Sequence, residues 1–411
     1  MSSRPRYVVR IAEPVWREAV AQHVSHIRST LQPGLTSPEH VVNSGRQRLK
    51  RSSPTYEWCT ALDPKHPVYN FLIEYYGLKG AKGTRRLARW SPNPALVFHD
   101  KEYITSLNDL MHSDNFDTSD CEERVKGGIL LEGATMDDVS GVLHLRGSML
   151  DTHGIIYSPA CFFSSKEGSA SAAAPFLWYR SVLQQTLNSA PVLHCHGLHE
   201  WAMQYHPPGA DPPPSAKYQS HLPLRVSRFV INEAVERRGI SCTHVDALRY
   251  FSPAAGPLNH HGFSLQRTDQ LRLEQPGCVH AHMDLLKMTL RLQPFVDPSL
   301  LRSVLDVALE SRKLDVAASP YDATAYGVGV VPIETAEGRW EYRKQQVELM
   351  ERADPVRRQL LRAYDLLLSL AFDESVVERA QTRAAPERFA KAEPGGLPWR
   401  KNLIDKTQIT Q

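Results

Sequence analysis

The chain has 411 residues, 42% of them hydrophobic and 23% charged, which is ample for one large domain or two ordinary ones with a proper core. Its 48 Lys and Arg nearly cancel its 45 Asp and Glu, so it lacks the basic excess by which duplex binders usually announce themselves. No apolar run approaches the roughly 20 residues of a membrane helix, so no membrane partner is expected.

The six cysteines are scattered without a CxxC pair. They are read as reduced thiols, and a cytoplasmic location is expected. The N-terminus mixes charges into its apolar residues and has no signal-peptide core; an import segment removed before residue 1 would also fit. The compositional oddity is 18 histidines, of which 12 lie between His144 and His282, so the chemistry is expected in the middle of the chain.

Residues 12–31 carry Val15, Ala19, Val20, His23, Val24 and Ile27 at helical spacing. A Pro-, Ser- and Arg/Lys-rich connection follows over 32–64, and its basic run 46–51 reads as solvated surface. Helix is expected again from Pro67 to Gly77. Residues 79–86, two glycines among four cations, read as a flexible basic turn, because no phosphate-loop pattern is present. Short strand-like pieces stand at 95–98 and 142–145. The Ser/Ala-rich run 164–174 reads as a surface loop, with a helix from Pro175 to Ser189.

Strands are expected at 192–196, 224–226 and 240–244. A proline-stiffened loop is expected at 207–218, and a helix over 228–238 stopped by Gly239. The tail reads as helix over 298–314 and 336–370, the second broken near Asp354-Pro355, and as a loose end from Ala384. The fold class expected is α-rich α+β, a helical domain around a small, partly parallel sheet built on 192–196 and 240–244. The expected organisation is an N-terminal helix and connection (1–64), a catalytic domain (65–345) and a C-terminal helical arm with tail (346–411).

The chemistry concentrates first at Pro191–Trp201, where three histidines and a glutamate fall within residues 194–200. On a strand, His194 and His196 would share a face, and Gly197 would make the turn that delivers His199 and Glu200. Imidazoles plus a carboxylate suit a borderline metal such as Zn or Fe. The spacing is not HExxH. Each histidine alone also reads as a hydrogen-bonded core residue, with Glu200 as a helix cap.

The second concentration is the helical stretch from Cys278 to Met288. His280, Asp284, Lys287 and Arg291 form one polar stripe there, and apolar residues cover the rest. That pattern predicts a buried helix with a polar seam, and Pro276-Gly277 before it predicts free N–H groups able to hold an anion. The third is His244, Asp246 and Arg249, readable as a carboxylate or phosphate clamp or as a structural ion pair. Tyr321-Asp322 after Ser319-Pro320 is weaker and reads equally as a turn.

Several of these stretches together are familiar. GLHEW at 197–201, CTHVDALRYF at 242–251, LEQPGCVHAHMDLLK at 273–287 and SPYD at 319–322 resemble a family of proteins named 3-methyladenine DNA glycosylase. HPVYNFLIEYY at 66–76 and ETAEGRWEY at 334–342 fit it too, so the resemblance covers about residues 66–345. It implies His199, Glu200, His244, Asp246, His280, Asp284 and Lys287 as site residues, and excision of an alkylated base as the activity. Trp201, Tyr205 and Tyr250 could stack such a base, whereas a helix-hairpin-helix DNA face is not visible.

The residues themselves support an enzyme on a small polar or heteroaromatic molecule. His194, His196, His199, His244 and His280 are its candidate ligands for a divalent metal, Zn or Fe, that activates water or dioxygen. Glu200, Asp246, Asp284 and Lys287 are its candidate catalytic groups, and Arg249, Trp201 and Tyr205 its candidate binding groups. A metal-free acid–base site, a DNA glycosylase and a non-enzymatic helical module with structural histidines remain the alternatives.

Overall fold

The computed structural model describes residues 9–11, 13–36, 56–91, 96–98, 155–156, 170–210 and 221–383, with single residues 94, 159 and 163 between them. The basic run 46–51, the strand expected at 142–145, most of the proline-rich loop and the tail beyond 383 lie outside the described residues. The described helices are α1 (Glu13–Leu31), α2 (Asn70–Glu74), α3 (Gly80–Ala88), α4 (Ala170–Asn188), α5 (Leu198–Gln204), α6 (Arg228–Glu236), α7 (Gln270–Leu273), α8 (Val279–Leu292), α9 (Pro298–Ala317), α10 (Ala336–Ala371) and α11 (Glu374–Arg383). None is long and apolar enough to cross a membrane.

The chain divides into two compact units. Unit 1 takes residues 1–180, 282–313 and 352–380, and unit 2 takes 181–281, 314–351 and 381–411.

In unit 1, α1 lies against α3, with the Trp16 and Trp90 rings stacked at 6.3 Å. Arg86 of α3 donates to the Leu290 carbonyl at 2.7 Å and to Gln293 Oε1 at 2.8 Å, while Tyr364 donates to the Met288 carbonyl at 2.8 Å. Residues 79–86 are therefore not a flexible turn. Gly83, Thr84, Leu87 and Ala88 are buried, and a Cβ at Gly83 would fall 2.1 Å from the Leu78 carbonyl carbon. That glycine permits a close backbone approach instead of loosening the chain.

Two other expectations yield to the same rule, that packing overrides local punctuation. α4 begins at Ala170 and runs through Pro175, with Ala173 buried, so the last part of the expected Ser/Ala-rich loop is helix. α10 runs unbroken through Pro355, where buried Val356, Leu360 and Tyr364 hold the turns beyond the proline. Among the described residues, the strands of unit 1 are Val9–Ile11, parallel to Leu96–Phe98, and Ile155–Ile156, antiparallel to Leu96–Phe98.

His23 of α1 is fully buried, and its Nε2 lies 2.9 Å from the Leu87 carbonyl. Burial pushes its pKa from 6.5 down to about 4, so the fold holds the neutral ring. As pH falls below 6.5 the unfolded chain gains a proton that the folded one refuses until about 4. This part of the stability is therefore full above 6.5 and lost between 6.5 and about 4. His23→Gln is expected to flatten that stretch of the stability–pH curve by up to roughly 3 kcal/mol. Urea midpoints across the range check it, and an unchanged curve would contradict it.

Unit 2 has a helical core without the expected sheet. Trp201, Ala202, Ile231, Val235, Ile240 and Tyr342 are its centre, drawn from α5, α6, the segment after α6 and α10. Residues 192–196 are not a strand. Glutamines hold this segment in place of a ladder: Gln275 Oε1 accepts from the N–H of Val192 and of Gly277, both at 2.8 Å. Gln346 donates to the Gly277 carbonyl at 2.6 Å and to the Val192 carbonyl at 3.2 Å. Residues 240–244 likewise make only a single bridge, Ile240 with Asn259, and Leu224 makes one with Tyr321. The Asn259 side chain takes the rest, accepting from Cys242 N–H at 2.9 Å and donating to the Cys242 carbonyl at 3.1 Å. Side-chain amides thus satisfy backbone groups that a sheet would have paired.

Candidate metal centre

The chain turns sharply into α5. His196 has φ +47° and Gly197 φ +66°, two left-handed residues in succession that swing the backbone so that His199 enters on the first turn. His199 is 4% exposed. Its Nε2 lies 2.7 Å from Asp315 Oδ1. Asp315 has no exposed surface and sits in the last turn of α9, at the negative end of that helix, where a carboxylate is stabilised by a neighbouring cation.

The third member is His280, on the first turn of α8, with its ring 4.3 Å from that of His199 in an edge contact. One ligand atom from each of His199, His280 and Asp315 falls within 4.8 Å of the others. Distant parts of the chain, on α5, α8 and α9, supply the three.

His280 is also stacked on His244, ring centroids 4.8 Å apart. His244 heads a neighbouring group with Glu274 and Cys278, all buried, again within 4.8 Å. His244 Nδ1 lies 3.4 Å from Glu274 Oε1, and Gln270 donates to Glu274 Oε2 at 2.7 Å. Burial, reinforced by Glu274, pushes the Cys278 thiol well above its usual range.

No family model, curated protein or solved structure matches this chain.

The other sequence candidates lie outside the His199, His280 and Asp315 group. His194 and His196 join no group of converging ligand atoms among the described residues; without a strand to carry them, they line a cavity beside α6. Glu200 follows His199 and is 4% exposed, but it is outside the groups that converge within ligand distance. Trp201 is fully buried and donates from Nε1 to the Ala318 carbonyl at 2.8 Å, and Tyr205 donates to Glu236 at 2.8 Å. Both are core residues with their polar ends satisfied, so neither offers a face to a ligand. Asp246 pairs with Arg249 and with Arg267, the latter at 2.6 Å. Asp284 and Lys287 belong to unit 1, where they pair at 2.7 Å with the Tyr76 hydroxyl 3.4 Å from Asp284. The N–H groups expected to hold an anion before α8 are already used: Gly277 and Cys278 donate to Gln275.

Asp315, Glu274 and Cys278 escaped the sequence reading as ligands. The available signal for Asp315 was a lone acid set among Leu314, Val316, Ala317 and Ala318. An acid so placed must either leave the core or find a cation there.

Proposed function

We propose that this chain is a metal-dependent enzyme, with His199, His280 and Asp315 as the ligands of a divalent ion, Zn or Fe, and a small polar or heteroaromatic molecule as substrate. One observation carries the reading: ligand atoms from three separate elements converge within 4.8 Å, two of them buried and 2.7 Å apart. Two imidazoles and one carboxylate are the donor set of water-activating zinc sites and of non-haem iron sites that use dioxygen, and both leave positions open. When bound, the ion would supply Lewis acidity and an activated water or dioxygen.

The chain's own residues do the remainder. Asp315 lowers the net charge of the site and, fixed in α9, sets the direction from which His199 is approached. His244, stacked on His280 and held beside Glu274, restricts that ring's rotation. Glu200, buried next to His199, is the general base of this reading.

Chelator-stripped protein is expected to take up stoichiometric Zn²⁺ or Fe²⁺ and to lose that capacity in a His199→Ala/His280→Ala double variant, read by elemental analysis. If the protein instead released 3-methyladenine from alkylated duplex, and Glu200→Gln abolished the release, the activity implied by the motif resemblance would replace this one.

A further inference from the structure

A second feature of unit 2 stands apart from the metal ligands and does not depend on them. A cavity of about 580 Å³ opens beside α6, and none of the proposed metal ligands lines it. Its polar lining is basic: Arg237, Arg238, Arg339, His194, His196 and His260. Two glutamates also reach it, but each is engaged. Glu233 pairs with Arg237 at 2.8 Å, and Glu334 is held by both terminal nitrogens of Arg225 at 2.6 and 2.9 Å.

Arg339 donates from one terminal nitrogen to the Ile333 and Glu334 carbonyls, neutral acceptors that leave its charge uncompensated. Arg238 makes no ion pair among the described residues. The cavity therefore carries surplus positive charge. Leu198, Val230, Ala234 and Ile333 supply an apolar wall.

An independent observation comes from His196. Its side chain is 9% exposed, it lines the cavity, and its Nδ1 is buried without a hydrogen-bond partner among the described residues. Leaving such an atom unmatched costs about 1–3 kcal/mol, and its left-handed backbone adds strain of about the same size. Strained residues cluster at ligand sites, and a buried polar group left unmatched there is available to a ligand.

The geometry points to this cavity as the binding site of a small molecule with an oxyanion end, a phosphate monoester or a carboxylate, on an apolar body. The arginines pair with the oxyanion, the aliphatic wall covers the body, and His196 Nδ1 bonds to the ligand. The local field agrees. Burial first, then Arg339, His194 and Arg238, push His196 down to about 4, as a positive surrounding would.

Calorimetric titration of the full chain with phenylphosphonate and with benzoate, against neutral benzamide, tests this. At least one anion is expected to bind more tightly than benzamide, and which one does so separates a phosphate from a carboxylate source. Arg238→Glu is expected to weaken that binding at least about tenfold. Arg238 is exposed, so this variant should keep the wild-type melting curve, and Arg238→Gln should show an intermediate loss. Equal affinity for all three compounds, or anion binding that Arg238→Glu leaves unchanged, would overturn the assignment.

Discussion

Asp315→Asn is expected to weaken metal binding by more than about 100-fold while leaving the fold in place. Removing a group that merely orients a ligand already costs 10- to 100-fold in typical sites, and Asp315 is placed to be a ligand itself. Asparagine keeps the shape of aspartate, so the closely packed end of α9 need not rearrange. The thermodynamic echo is large. With metal at about 100 times its dissociation constant, the wild-type chain gains roughly 2.7 kcal/mol of stability, and the variant should gain almost none. Urea unfolding with and without added metal measures both. Equal metal-linked stabilisation in the two proteins would remove Asp315 from the ligand set.

Trp201→Ala is expected to destabilise the protein by about 3–5 kcal/mol. Trp201 is fully buried at the centre of unit 2, its indole N–H is bonded to the Ala318 carbonyl, and the Arg225 guanidinium lies 5.4 Å from its ring. Truncation leaves a large cavity, an unpaired carbonyl and an arginine without its aromatic face. Chemical denaturation gives the number. A loss below about 1 kcal/mol, the range of surface changes, would mean that the indole is not structural and would return it to the list of binding residues.

These two residues show what the sequence discloses and what it conceals. Helical periodicity located α1, α6 and α9 closely, because each has an apolar stripe that must be buried. The motifs around residues 199, 244 and 280 are places where polar residues interrupt apolar runs, and the rings of those three histidines are stacked or in edge contact in unit 2.

The sheet was misread because apolar stretches such as Val192-Leu193 look alike in a strand and in a buried coil. What decides between them is a distant partner, here the side chains of Gln275 and Gln346. α3 and the unbroken course of α10 were misread for a related reason. Glycine and proline report local preference, while burial of Gly83 and Tyr364 reports tertiary packing.

Asp315 was missed because no histidine or cysteine stands near it in the sequence; its meaning comes from the approach of α5. His194 and His196 were placed with the metal ligands because alternation on a strand would have aimed them together. The successive left-handed residues at 196 and 197 separate them from His199, and they line the basic cavity.

X-ray absorption at the edge of the bound metal tests the centre most directly. The account predicts two imidazole nitrogens and a carboxylate oxygen near 2.0–2.2 Å and no sulfur shell. A sulfur at about 2.3 Å would place the ion on Cys278 with His244 and Glu274 instead, and a chain that retains no metal would contradict the proposed centre altogether.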